Sequence, residues 1–134
     1  MTSQDSTSTD VHARFDPEEI FAAAGEVPYG WRIDTDELAW GRNVGDTLAV
    51  TDPAALRTGK GYAQLIDPKS GSSRAETVMR GTTFDRGAGV AYQVQYALRA
   101  GPDRLLWIED TGRWFAGRDG KPLRAHGVVR TISE

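Results

Sequence analysis

From Val90 to Arg99 the chain alternates strictly between apolar and polar positions. Val90, Tyr92, Val94, Tyr96 and Leu98 fall on one side, Gln93, Gln95 and Arg99 on the other. Successive side chains of a strand point to opposite faces, so this run predicts a half-buried β-strand. LLWIEDTGRWFAG and KPLRAHGVVRTIS follow it and complete a meander of three antiparallel strands. Earlier, YGWRID and ELAWG read as a strand pair around Thr35-Asp36. NVGDTLAV, DPAALRTG and KGYAQLID lie between the two groups as short helical pieces punctuated by Gly and Pro. SSRAETVMRG reads as one more helix, capped by Ser72 or Ser73. The order predicts an α+β fold: a five-stranded antiparallel sheet of order 2-1-5-4-3, with short helices on one face.

Residues 1–14 are Ser/Thr/Asp-rich with almost no apolar content, the composition of a disordered tail. Residues 15–26 carry a helix start: Asp16 as N-cap, Pro17 at the first helical position and Glu19 where a capping-box acid belongs. Phe15 and Ile20 have hydrophobic-staple spacing, and Gly25 suits a left-handed end. The apolar positions Phe15, Ile20, Phe21 and Ala24 need a surface to cover, on their own domain or on a second copy of the helix. They are the dimer-interface candidates. Residues 27–134 form the domain itself.

In RDGK, Asp-Gly suits a two-residue type I′ hairpin turn. With Asp119 and Gly120 as the loop, Glu109 lies opposite Arg130, Arg113 opposite His126 and Phe115 opposite Arg124. Such charge and cation–ring pairs are each worth roughly 0.2–1 kcal/mol across a sheet. The other face collects Ile108, Asp110, Gly112, Trp114, Ala125, Gly127 and Val129, with the two glycines facing each other and leaving space above the sheet. Glu109 and Asp110 therefore point to opposite faces and cannot work as a paired acid and base. His126 reads as a surface imidazole. Asp110 is the one acid on the apolar face, bonded there to a backbone N–H, to an arginine, or to a ligand.

The 134 residues suffice for one domain with a real core. Their net charge of −3, with no basic stripe, argues against nucleic acid as a partner. With no cysteine there is no disulfide, no Cys-ligated metal and no thiol chemistry, and no metal site is read from the remaining residues. No long apolar run or signal peptide is present, so no membrane partner is expected and the expected compartment is the cytoplasm.

The strand order and the pattern W-x-I-D … L-x-W … Asn43 … GKGYAQLIDP … YQVQYALR … WIEDTGRWFAGRDGKPLRAHGVVR resemble a PAS domain. The hairpin is similar to that of sensory PAS domains placed ahead of cyclic-di-GMP synthase and phosphodiesterase (GGDEF/EAL) modules in bacteria. The likeness spans about Val27 to Ser133. It implies a cytoplasmic module that dimerises, binds a small ligand, or does both, and regulates a C-terminal effector. The sequence stops where a linker would begin, so a sensor excised from a longer protein is expected ahead of the alternative, a single-domain protein associated with its effector.

In such domains the concave face of the sheet lines the ligand cavity. That implies Tyr62, Met79, Tyr96, Leu98, Ile108, Asp110, Trp114, Gly127 and Val129 as pocket candidates, with Met79 a flexible core filler. In flavin-binding members a glutamine stands at the position of Val129, and asparagines at those of Leu98 and Ile108. With no photoactive cysteine either, the resemblance argues against a photoactive flavin. Residues 58–90 contain no histidine, which argues against His-ligated haem. A cavity of this lining suits a small apolar or weakly polar molecule; a packed core is the other reading. PAS domains often end in Asp-Ile-Thr, whereas here Thr131 replaces the acid, and Ser133 stands ready to cap a following helix. The alternative function is a small cone-shaped α+β enzyme with Asp110 as base and Tyr96 as oxyanion donor. A third is a purely structural dimerisation domain.

Overall fold

The computed structural model describes residues 15–100 and 102–132. The tail expected at 1–14 and the cap expected at Ser133 lie outside them. The order is α1 (Pro17–Ala23), β1 (Glu26–Arg32), β2 (Glu37–Trp40), α2 (Val44–Leu48), a 3₁₀ helix (Pro53–Leu56), α3 (Gly59–Ala63), α4 (Arg74–Arg80), β3 (Val90–Arg99), β4 (Leu105–Ala116) and β5 (Pro122–Thr131). The five strands form one antiparallel sheet of order β2-β1-β5-β4-β3, as the sequence pattern predicts.

Side-chain caps start α1, the 3₁₀ helix, α3 and α4. The Asp16 carboxylate accepts the Glu18 N–H at 3.1 Å, Asp52 that of Ala54 at 3.1 Å, Thr58 that of Gly61 at 3.0 Å and Ser73 that of Glu76 at 3.1 Å. Gly25 closes α1 at a φ of 70°, in the left-handed region. No residue of α1 is buried; Phe15 and Ile20 are 63% and 51% exposed. An ion pair from Glu18 to Arg42 ties the helix to the segment after β2.

The β4–β5 pairing agrees with the sequence: Glu109 opposite Arg130, Gly112 opposite Gly127, Arg113 opposite His126, Phe115 opposite Arg124. The turn itself is different. Gly117 accepts the Gly120 N–H at 3.0 Å and donates its own N–H to Lys121 at 2.9 Å, so the loop is three residues, Arg118 to Gly120. Within that loop only Gly120 takes a positive φ, of 81°, whereas a type I′ turn needs two such residues. The longer loop would shift every pair by one. A bulge cancels the shift, because Ala116 pairs with Pro122 and Phe115 with Arg124, leaving Leu123 as the extra residue.

The core lies between one face of the sheet and the helices. It is built from Val27, Tyr29, Trp31, Tyr62, Val78, Tyr96, Leu98, Ile108, Trp114 and Val129, among others. The opposite face carries the predicted charge ladder: Arg130 meets Glu109 at 2.8 Å, and the Arg124 guanidinium stands 4.3 Å from the Phe115 ring centre.

Candidate functional site

Asp110 sits on β4 with no solvent exposure. Its Oδ1 accepts the Tyr29 hydroxyl at 2.6 Å; its Oδ2 accepts the Tyr96 hydroxyl at 2.8 Å and Arg74 Nε at 2.9 Å. A phenol has one proton to give. Tyr29 and Tyr96 spend theirs on Asp110, so they accept from Tyr92 and from Tyr62, the latter at 2.7 Å. Two hydroxyl relays thus converge on one carboxylate, and they use all four tyrosines of the chain.

Arg74 is the counter-charge. It is the first residue of α4, directly after the Ser73 cap, and is 3% exposed. Aromatic rings surround its guanidinium, whose carbon lies 3.7 Å from the ring centre of Tyr29, 4.9 Å from Tyr62, 5.5 Å from Trp40 and 6.0 Å from Trp31. The two indoles are fixed by their own N–H groups, Trp31 to Asp36 Oδ1 at 2.9 Å and Trp40 to the Leu56 carbonyl at 2.8 Å. The cation is therefore held by carboxylate and ring faces together.

Burial, the largest single influence, disfavours charge on the guanidinium, but Asp110 together with Tyr29, Tyr96 and Tyr62 outweighs it and holds Arg74 above the ordinary arginine range. Burial also pushes the phenols up, Tyr92 to about 12 and Tyr29, Tyr62 and Tyr96 further. One polar atom is left over. Arg74 Nη2 is buried without a hydrogen-bond partner, beside a cavity of about 10 Å³ lined by Trp31, Gly59, Tyr62, Ala63, Ser73 and Ala75. That volume is close to the smallest that holds a water molecule, about 10–15 Å³.

The residues read as pocket candidates from the sequence fall in three places. Tyr62, Tyr96, Leu98, Ile108, Asp110, Trp114 and Val129 are buried in the interior. Gly127 and Gly112 do face each other, but the expected space above them is taken: a side chain at Gly127 would meet the Tyr29 hydroxyl at 2.8 Å, and one at Gly112 the Tyr92 ring at 2.6 Å. Met79, expected as a core filler, is 61% exposed. The Ser73 cap fixes the phase of α4 so that Arg74 and Val78, one turn apart, point inward and Met79 points out.

Asp110 has the arginine partner that was one of its expected readings. Arg74, Tyr29, Trp31 and Trp40 are site residues that the sequence pattern did not single out. The signal for Arg74 is the same cap, because counting from Ser73 puts it on the face of Val78. His126 is exposed beside Phe115, their ring centres 5.1 Å apart. Among the described helices none is long and apolar enough to cross a membrane.

Three solved structures share this architecture. The N-terminal domain of a diguanylate cyclase with a PAS/PAC sensor from Marinobacter aquaeolei matches at a TM-score of 0.61 and 14% identity, over 81% of this chain and 95% of that one. A sensory box histidine kinase/response regulator from Burkholderia thailandensis matches at 0.59 and 16%, over 84% and 80%. A light-oxygen-voltage domain, in work on a flavin analogue, matches at 0.51 and 16%, over 90% and 89%. Neither a protein-family model nor a curated protein matches the sequence. The chain has the PAS fold.

Proposed function

We propose that this PAS-fold chain is a non-catalytic sensory module of the cytoplasm. It dimerises through α1, responds to a small ligand, and regulates a fused effector, by our reading one that makes or degrades cyclic di-GMP. The observation that carries the non-catalytic part is the saturation of Asp110. A general base needs a carboxylate free to reach a substrate proton. Here Arg74, Tyr29 and Tyr96 occupy it, out of contact with solvent. The enzyme reading, with Asp110 as base and Tyr96 as oxyanion donor, has Tyr96 spending its one proton on Asp110 itself, so neither group is free for a substrate.

Dimerisation is supported by the apolar side chains that α1 leaves uncovered. Coupling to an effector is supported by the meeting of α1 and the end of β5. Thr131, where the resembled domains carry aspartate, donates its N–H to the Gly25 carbonyl at 3.3 Å. A change at the helix interface thus bears directly on the exit from β5.

Native mass spectrometry of the purified chain, set against its denatured mass, tests the module. The mass of two chains is expected, and any increment measures a retained ligand. A one-chain mass across the micromolar range overturns the dimer. An output unchanged when the chain is joined to a diguanylate cyclase catalytic domain overturns the regulatory role.

A further inference from the structure

The sheet interior has the makings of a cation receptor: one buried carboxylate, and four aromatic side chains whose ring centres lie 3.7–6.0 Å from a guanidinium carbon. The cation there comes from the chain itself, on a short helix with few claims on the core. Of the seven residues of α4, only Arg74 and Val78 are buried. The helix hangs between two fixed points. On one side Ser70 Oγ donates to the Asp67 carbonyl at 2.6 Å and accepts the Ala97 N–H at 2.9 Å. On the other, Asp85 accepts N–H groups of Gly87, Gly89 and Ala116, each at 2.8 Å. Between α4 and Asp85 the residues are exposed, Phe84 by 80%.

We propose that this interior is a binding site for a small organic cation of the guanidinium or alkylammonium type, and that Arg74 is its built-in occupant, exchanged when α4 lifts. The inference rests on the ligand-responsive reading above and supplies the ligand class. Charge balance selects that class. Removing Arg74 from the site leaves Asp110 as a lone charge at zero exposure, which is strongly unfavourable. A neutral or apolar molecule taking its place leaves the carboxylate without its counter-charge, and an anion adds a second negative charge. A cation supplies the counter-charge that Arg74 takes away, and the ring faces favour one whose charge is delocalised or capped by carbon. Nη2 of the tethered cation meets no protein acceptor and faces a water-sized cavity. An untethered guanidinium can turn to use the cavity beside it.

The test compares methylguanidinium with methylurea, a neutral isostere, on the full chain. Calorimetric titration and amide exchange are read for the unaltered chain, Arg74→Ala and Arg74→Lys. The lysine variant keeps a charge in the cage should the alanine variant fail to fold. We expect methylguanidinium to bind the unaltered chain on the order of tenfold more tightly than methylurea, with faster amide exchange confined to residues 74–80. Arg74→Ala, or Arg74→Lys in its place, is expected to bind it more tightly still. Equal affinity for the two probes overturns the cation class. Binding to the variants but not to the unaltered chain overturns the exchange, leaving Arg74 a fixed structural cation. Native mass and effector output are read without either probe, so the module reading fails or stands separately from this one.

Discussion

Arg74 Nε and Asp110 Oδ2 stand 2.9 Å apart with both side chains almost wholly out of solvent, joining α4 to the middle of β4. A buried pair of this kind is most sensitive to the loss of one member. Asp110→Asn keeps the shape and strands the guanidinium, and is expected to cost about 3–5 kcal/mol. Glu109→Gln, one residue away, loosens outer contacts with half-exposed Arg130 and with Gln95 and is expected to cost about 0–1 kcal/mol. Urea denaturation of both variants reads the contrast. Equal midpoints would remove the ion pair from the account of what holds α4 down.

The four tyrosines make the alkaline limit of stability legible by spectroscopy. Their folded-state pKa values lie above the ordinary value, chiefly because burial disfavours the phenolate. The folded chain thus holds protons that the unfolded chain gives up. Stability is full below about pH 10, the unfolded tyrosine value, and falls as pH rises through about 12, where Tyr92 titrates, and beyond. The tyrosinate absorbance is expected to stay flat through pH 10 and then rise together with the loss of near-ultraviolet dichroism. A gradual rise in a still-folded chain would show that some hydroxyl reaches water.

Gly112 and Gly127 leave room on the sheet that Tyr92 and Tyr29 occupy. In Gly127→Ala the new methyl group would lie 2.7 Å from the Gly112 backbone and 2.8 Å from the Tyr29 hydroxyl. The backbone contact cannot swing aside as a side chain can, so a loss of at least about 1–3 kcal/mol is expected. Thermal unfolding measures it. A neutral substitution would mean that the β4–β5 ladder spreads at this point.

For α1 the expectation concerns association. Ile20 is half exposed and no α1 residue is buried. Ile20→Glu is expected to shift sedimentation from dimer to monomer while the monomer's own unfolding changes by within about 0.5 kcal/mol. A dimer that survives the charge places the interface on another surface.

Strand order, faces and most of the hairpin register were legible in the sequence because period-two alternation in β3 and β4 leaves little choice of face. The hairpin shows the limit of such reading. The expected register is right, yet it arises from a three-residue turn and a compensating bulge at Leu123, which the dipeptide rule does not encode. Asp110 was legible as an acid on an apolar face, but its partner was not. Arginine at the start of a helix ordinarily faces water, and only the phase set by Ser73 turns Arg74 inward. Met79 failed for the same reason, since residue type favoured the core and helical phase pointed it out. The filling of the glycine gap by Tyr29 depends on β1 pairing with β5 across about a hundred residues. No local pattern carries that.

The position of β5 in the sheet sets a timetable for the chain's synthesis. It is the last of the five strands in sequence and the central one in space, flanked by β1 and β4. The β1–β2 and β3–β4 hairpins can each close as they emerge, but they share no edge until residues 122–131 have left the ribosome. Until then Val27, Tyr29 and Asp110 lie on unjoined half-sheets with their apolar faces open. Nascent chains stalled with Pro122 still inside the ribosome should therefore be held by chaperones, and those with Thr131 outside it released.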